Sequence, residues 1–315
     1  MAKFLSLDDK KNILKFEEKC FNLVHQRSCT MTVVVSILGA KEFDSGKTTF
    51  STSLILTLRK KGKNATGFKP LAGHECTEQY DFYLKNLQES KLYGHDAYFL
   101  QIASQVTLPI EVINPVDIMT KYDLNFEGHY SSVYDDLGIG RFSFYEEDRI
   151  KNIYYYRKGL KDKLCIKLLD KLKLKAEEVI EVSSFEEFLE IHKKYYQRSV
   201  SSMFNFLKKF ADTIVIESFN DSAYPAQPVE ESELIFVCNL NEIYVYEKEQ
   251  FLESIKESKD PFLLRFKDIS EKMKPKYTFK LPFLESTDDE KQLEKQAKEY
   301  ALELEKIAEQ LKLTN

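Results

Sequence analysis

The chain has 315 residues, of which 43 per cent are apolar and 31 per cent charged. That is enough for one large α/β domain or two small ones, and it excludes a disordered chain. Forty-six basic against 51 acidic side chains leave a net charge of −5, which weighs against a protein built to coat nucleic acid or anionic lipid. No apolar run approaches the roughly 20 residues of a spanning helix, and the charged opening MAKFLSLDDKKNILKFEEK lacks the apolar core of a secretion signal. The cysteines Cys20, Cys29, Cys76, Cys165 and Cys238 form no C-x-x-C pair, and His25, His74, His95, His129 and His192 show no ligand spacing. The expectation is a reduced, cytoplasmic protein with no disulfide framework and no zinc or iron site.

In chain order, residues 1–30 read as a helical extension, with Ile13, Phe16, Cys20, Phe21 and Val24 at helical spacing over residues 8–26. Met31–Leu38 is a β-branched run of the kind a buried parallel strand shows. A helix from Lys47 to about Lys61 and a strand at Ala65–Phe68 complete a strand–loop–helix–strand unit. Residues 76–105 read as helical with an interruption at Gly94, and residues 115–150 show no secure period. Residues 155–175 carry eight basic and two acidic side chains around a Leu160, Leu164, Leu168, Leu169, Leu172 stripe. That pattern predicts a solvated helix in preference to a phosphate- or nucleic-acid-binding face. A helix over Phe185–Phe210 then precedes buried strands at Thr213–Glu217 and Leu234–Cys238. At the end, Leu293, Ala297, Tyr300, Leu304, Ile307 and Leu311 form a stripe suited to docking onto the domain rather than to a coiled coil.

The most informative stretch is Ser36–Phe50, SILGAKEFDSGKTTF. A phosphate loop needs converging backbone N–H groups, a helix starting straight after it, a Lys for the β/γ phosphates and a hydroxyl for magnesium. Gly46-Lys47-Thr48-Thr49 after a buried strand meets those needs. The strict spacing puts a glycine where Lys41 stands; here the upstream glycine is Gly39, with six residues intervening. The expected nucleotide contacts are Gly39, Lys41, Asp44, Ser45, Gly46, Lys47, Thr48 and Thr49, with Asn239 and Asn241 as base contacts.

Five stretches in order resemble dethiobiotin synthetase and its relatives in the deviant phosphate-loop class that includes the cobyric-acid-type amidoligases. The family loop G-T-D-T-E-V-G-K-T compares with Gly39–Thr48, one residue longer. The family's G-Y-K-P-V-A-S-G compares with Gly67-Phe68-Lys69-Pro70-Leu71-Ala72-Gly73-His74. Its S-D-A-L-A-L-Q helix with a later N-P pair compares with His95-Asp96-Ala97-Tyr98-Phe99-Leu100-Gln101 and Asn114-Pro115. Its A-D-W-V-L-V-E-G-A-G-G strand compares with Ala211–Phe219, and its E-I-P-Y-L with Lys280–Leu284. The resemblance implies a P-loop NTPase of α/β class, with a mostly parallel sheet, helices on both faces, and often a homodimer. Residues 31–315 would form that domain, with a helical, aromatic insertion at about 116–195.

The resemblance also implies ATP as substrate and a phosphoryl transfer to a small acceptor, of carboxylate or carbamate type. Magnesium takes hard oxygen ligands, and Thr48, Asp96 and Glu217 supply a hydroxyl and two carboxylates. Lys47 and Lys69 are the expected catalytic cations facing the transferred phosphoryl group. His74 and His95 flank the same region. Two departures stand out: the small-residue loop after the strand-end Glu is Ser218-Phe219-Asn220-Asp221, and the Ser of K-P-V-A-S is Gly73. The E-P-x-x-P-H substrate loop is also absent, so the acceptor site reads as replaced and diaminononanoate is not the expected acceptor. A rival reading is a nucleotide-switched partner-binding ATPase, hinted at by Lys41. A polynucleotide kinase using residues 155–175 is disfavoured by the acidic balance.

Overall fold

The computed structural model describes residues 31–310, apart from residues 43, 122–129, 257, 259–260, 283 and 285–289. The expected N-terminal helix, Tyr122 and Leu311 lie outside the described residues. Two sheets are present. The first has the order β11–β10–β9–β1–β8–β2, built from β1 (Val33–Gly39), β2 (Ala65–Phe68), β8 (Thr213–Glu217), β9 (Leu234–Asn239), β10 (Glu242–Glu247) and β11 (Tyr277–Lys280). The four consecutive strands β9, β1, β8 and β2 run parallel, with β1 between β8 and β9 and β2 at the edge beside β8; β10 and β11 are antiparallel additions at the other edge. Side chains on both faces of β1 are buried, which is why its sequence reads as an unbroken apolar run rather than an alternation.

Helix α1 (Lys47–Lys60) follows β1, and α2 (Tyr80–Glu89) and α3 (His95–Ser104) follow the second strand segment, separated at Gly94 as the sequence predicts. Val35, Ile37, Val215 and Phe236 pack on one face of the sheet with Leu54 and Leu58 of α1 and Leu100 of α3. Helix α10 (Glu290–Gln310) lays Leu293, Ala297, Tyr300, Leu304 and Ile307 into that same core. The C-terminal stripe is therefore a docking face, as expected.

A second sheet, absent from the sequence expectation, has the order β3–β4–β5–β6–β7. Its strands are β3 (Leu71–Glu75), β4 (Val116–Thr120), β5 (Leu137–Glu146), β6 (Arg149–Arg157) and β7 (Glu178–Val182). Pairings β3–β4 and β6–β7 are parallel and the two between them antiparallel. Two expectations are corrected here. The segment 116–195 is not a helical insertion: it supplies four of these five strands, with the short helices α4 (Ile110–Ile113) before it and α5 (Tyr130–Asp135) within it. The basic stretch 155–175 is not one helix: β6 runs to Arg157, Gly159 turns at φ +74°, and only α6 (Lys163–Leu172) is helical.

The second sheet's tyrosines mainly pack. Tyr154 and Tyr155 are buried on opposite faces, and Tyr134 lies against Phe185 and Phe188. Helix α7 (Phe185–Leu207) joins the sheets, since one continuous core includes its Phe188 and Tyr195, Phe142 and Phe144 of β5, its Met203 and Phe204, and Phe68 and Ile216 of the first sheet. Helix α8 (Lys248–Lys256) contributes Phe251 to the same core, and α9 (Phe266–Ile269) adds Phe266. No helix among the described residues is long and apolar enough to cross a membrane.

Candidate functional site

The loop from Gly39 to Gly46 leaves the carboxyl end of β1, the central strand. Both glycines are required by space. A side chain on Gly39 would come within 2.8 Å of the Asn220 carbonyl oxygen and of Ser45 Oγ. Gly46 has φ +82°, and a Cβ there would lie 2.9 Å from the Leu240 carbonyl oxygen, so the position favours glycine twice over. Helix α1 starts at Gly46 with no side-chain cap and no acidic residue in its first turn. Helices α6 and α7 are capped by Asp162 and Ser184, whereas α2, α3 and α4 share the uncapped start. Uncapped N–H groups at a helix start favour an anion. Ser45 is buried, and its hydroxyl accepts from Lys47 Nζ at 3.1 Å. Burial, aided by Lys69, lowers the Lys47 ammonium from its ordinary range, against the pull of Glu217 and Asp96.

Lys41 is exposed, and Asp44 sits on the loop surface at φ +52°. The extra loop length is tied down from outside: Glu42 lies 3.6 Å from Arg265 and accepts from Asn220 Nδ2 at 3.5 Å. Asn239 ends β9 beside the loop, whose Ser45 carbonyl accepts from Leu240 N at 3.0 Å. The Asn239 Oδ1 is buried without a hydrogen-bond partner. Thr49 faces a small cavity of about 30 Å³ that it shares with Thr48, Thr52, His95, Phe99, Leu293 and Gln296.

The expected metal ligands converge. Thr48 Oγ1 lies 3.0 Å from Asp96 Oδ1 and 3.1 Å from Glu217 Oε1. Asp96 comes from the first turn of α3, and Glu217 from the last residue of β8. Lys69 lies between the two carboxylates, its Nζ donating to Asp96 Oδ2 and Glu217 Oε1, each at 2.8 Å, and to the Ser218 carbonyl at 3.0 Å. Burial opposes the Lys69 charge, but Asp96 and Glu217 outweigh it and hold the ammonium above its ordinary range. Asp96 is 40 per cent exposed at its side chain; against the cost of desolvation, Lys69 and then His95 hold its carboxyl well below the usual carboxylate range.

Lys69 is fixed by its backbone as well. Its N–H donates to the Ile113 carbonyl at 2.7 Å, and its own carbonyl accepts from Asn114 Nδ2 at 3.0 Å. Ile113 and Asn114 thus clamp the lysine from both sides of its backbone. Arg141 in turn donates to both oxygens of Asn114, at 2.7 and 3.1 Å. Pro70 after the lysine restricts it to extended backbone, carrying the chain from β2 into β3 of the other sheet.

The donor set fits a hard divalent cation. It offers three oxygen-bearing side chains, and Glu217 Oε2 is buried without a hydrogen-bond partner. The two lysines and two carboxylates sum to zero charge, so added anion and cation charge would have to arrive together.

Three features escaped the sequence. The Ser218 carbonyl holds Lys69, and a backbone oxygen leaves no trace in residue type. Phe219 packs on Gly73, where a Cβ would lie 2.8 Å from Phe219 Cε2. The two departures from the family pattern are therefore one contact. Lastly, His74 Nδ1 stands 3.1 Å from Asp117 Oδ1, both side chains buried, by proximity rather than by an aligned hydrogen bond. The neighbouring β3–β4 pairing places them together, and no local pattern announced it.

No protein-family model matches this chain, and no curated protein sequence matches it.

Proposed function

We propose that the chain is an ATP- and magnesium-dependent P-loop enzyme resembling dethiobiotin synthetase, which transfers a phosphoryl group to a small acceptor. The acceptor class is a carboxylate or carbamate activated for ligation. The observation that carries this reading is the meeting of Lys47, Thr48, Lys69, Asp96 and Glu217, from four separate segments, at the uncapped start of α1.

In this reading the α1 N–H groups and Lys47 receive phosphate oxygens, and Gly39 and Gly46 let the backbone approach them. Thr48, Asp96 and Glu217 would hold magnesium, which when bound neutralises phosphate charge. Lys69, already oriented by two carboxylates and a carbonyl, offsets charge developing on the transferred group. Gly73 and Phe219 reshape the acceptor side, which supports an acceptor other than diaminononanoate. A homodimer in the cytoplasm is part of the same proposal.

The test is product analysis after incubation with Mg²⁺ and ATP, or GTP in a parallel arm, together with a panel of small carboxylic acids and amines plus bicarbonate. A phosphorylated or ligated product that requires the nucleotide supports the enzyme. Nucleotide hydrolysis indifferent to every acceptor, coupled to a change in oligomeric state, would favour a nucleotide-switched binding module instead. Efficient dethiobiotin formation would refute the altered acceptor site.

A further inference from the structure

A second constellation lies away from this site, on the outer face of the second sheet. Cys76 is the residue after β3, where its N–H donates to the Thr120 carbonyl at 3.2 Å. Cys165 lies in the first turn of α6, and Asp162 caps that helix, accepting from Cys165 N at 2.8 Å. The two sulfurs and an Asp162 carboxylate oxygen all lie within 4.8 Å of one another.

The surrounding fold holds these donors in place. A Cβ on Gly138 of β5 would come 2.6 Å from Cys165 Sγ, so only glycine lets the sheet approach the thiol so closely. Tyr83 of α2 donates to the Leu164 carbonyl at 3.2 Å, tying α2 to the start of α6. Cys76 and Cys165 are fully buried, in a core of Tyr83, Leu92, Met119, Ile139 and Leu168. A buried cysteine on its own behaves as a small apolar residue. Two thiols gathered against a carboxylate do not fit that account, because the carboxylate brings charge to the core's edge.

We propose that Cys76, Cys165 and Asp162 form a binding site for a thiophilic divalent cation of the zinc class. Two thiolates and a carboxylate suit zinc or cobalt and disfavour magnesium and calcium, which take oxygen ligands. Binding forms two metal–sulfur bonds and one metal–oxygen bond, and the two thiol protons leave to solvent. Asp162 is partly exposed and supplies the entry path. Glu75 stands beside the group, its Oε1 accepting from Cys76 Sγ at 3.3 Å, but both its oxygens are held by Thr77 and Glu78, which leaves the fourth position to water. The ion would fasten the end of β3 to α6 across 89 residues of chain (165 − 76). That separation is why no local cysteine spacing reveals the site. The proposal is independent of nucleotide chemistry.

The experiment titrates the reduced full-length protein with Co²⁺, in wild type and in a Cys20→Ser/Cys29→Ser background, and reads sulfur-to-cobalt charge-transfer absorption. One equivalent should bind in both proteins and be displaced by Zn²⁺ but not by Mg²⁺. Cys76→Ser and Cys165→Ser should each lose most of the band, while Cys238→Ser should keep it. Asp162→Asn is the decisive variant, because Asn caps a helix as well as Asp. It should fold normally yet bind at least about tenfold more weakly, and Zn²⁺ should raise its melting temperature less than that of wild type. No band in wild type, a band that follows Cys20 and Cys29, or wild-type affinity in Asp162→Asn would overturn the proposal.

Discussion

Two buried polar clusters lie on either side of the Lys69–Pro70 crossing, and they are built differently. In the first sheet's cluster, Lys69 meets two carboxylates at 2.8 Å and Asp96 opens to solvent. In the second sheet's, His74, Asp117 and Arg141 are enclosed, and five of their polar atoms have no hydrogen-bond partner. Both bury charge, but only the first pairs it tightly and exposes an edge. A tightly paired, half-open cluster is one into which a charged ligand can exchange; an enclosed one fixes the meeting of strands.

The largest expected effect on this contrast is at Lys69. Lys69→Ala leaves the buried Glu217 without its ion pair and Asp96 with His95 alone, and should cost about 3–5 kcal/mol in urea unfolding. Near-wild-type stability would mean that the cluster is solvated rather than charge-paired. Lys47→Ala should leave the fold intact, because that ammonium's one hydrogen bond is to Ser45. In calorimetric titration it should lose up to about 3 kcal/mol of ATP affinity, roughly a hundredfold; unchanged affinity would sink the phosphate-loop assignment. Glu217→Gln and Asp96→Asn should each weaken magnesium dependence, and the pair should be non-additive if they share one ion.

The next test lies at the seam between the regions. Gly73→Ser crowds the far end of the Phe219 ring at an exposed position and should cost no more than about 1 kcal/mol. Adding Phe219→Ala should recover most of that loss; simple additivity would show that the two residues do not act as a pair.

The second sheet's own packing is tested by the pH slope from His192, which hydrogen-bonds Tyr155 at 2.9 Å beside Phe142 and Phe188. Burial pushes its pKa down to about 3. The unfolded chain therefore takes up this proton first, so the stability it contributes is full above about pH 6.5 and is lost as pH falls from there toward 3. The slope should approach about 1.4 kcal/mol per pH unit. His192→Gln should flatten it; an unchanged slope would assign the acid sensitivity elsewhere.

The same contrast explains what was legible in the sequence. β1, β2, β8 and β9 stand at or near their expected positions because parallel strands buried on both faces leave apolar runs. The meeting of Thr48, Asp96 and Glu217 was an expectation of the resemblance, supported by the hard-oxygen chemistry of the three side chains. β6, RIKNIYYYR, carries its aromatics on both faces and runs into a lysine-rich stretch, so no single period dominates. β3 is five residues with a Gly and a His, too short and polar to stand out before its partner β4 is known. Lys69's role was half legible. Its identity pointed to phosphate, but its two carboxylate partners come from segments 27 and 148 residues away.

Helix α7 has one further consequence. With its Phe188 end in one sheet and its Phe204 end against the other, it acts as a splint across them. The splint joins the two sheets through one shared core. Opening and closing at the candidate site would fall to its rim, to the loop between Gly39 and Gly46 and to the edge of α10 over Thr48 and Thr49. Heating should then melt both sheets in one cooperative step.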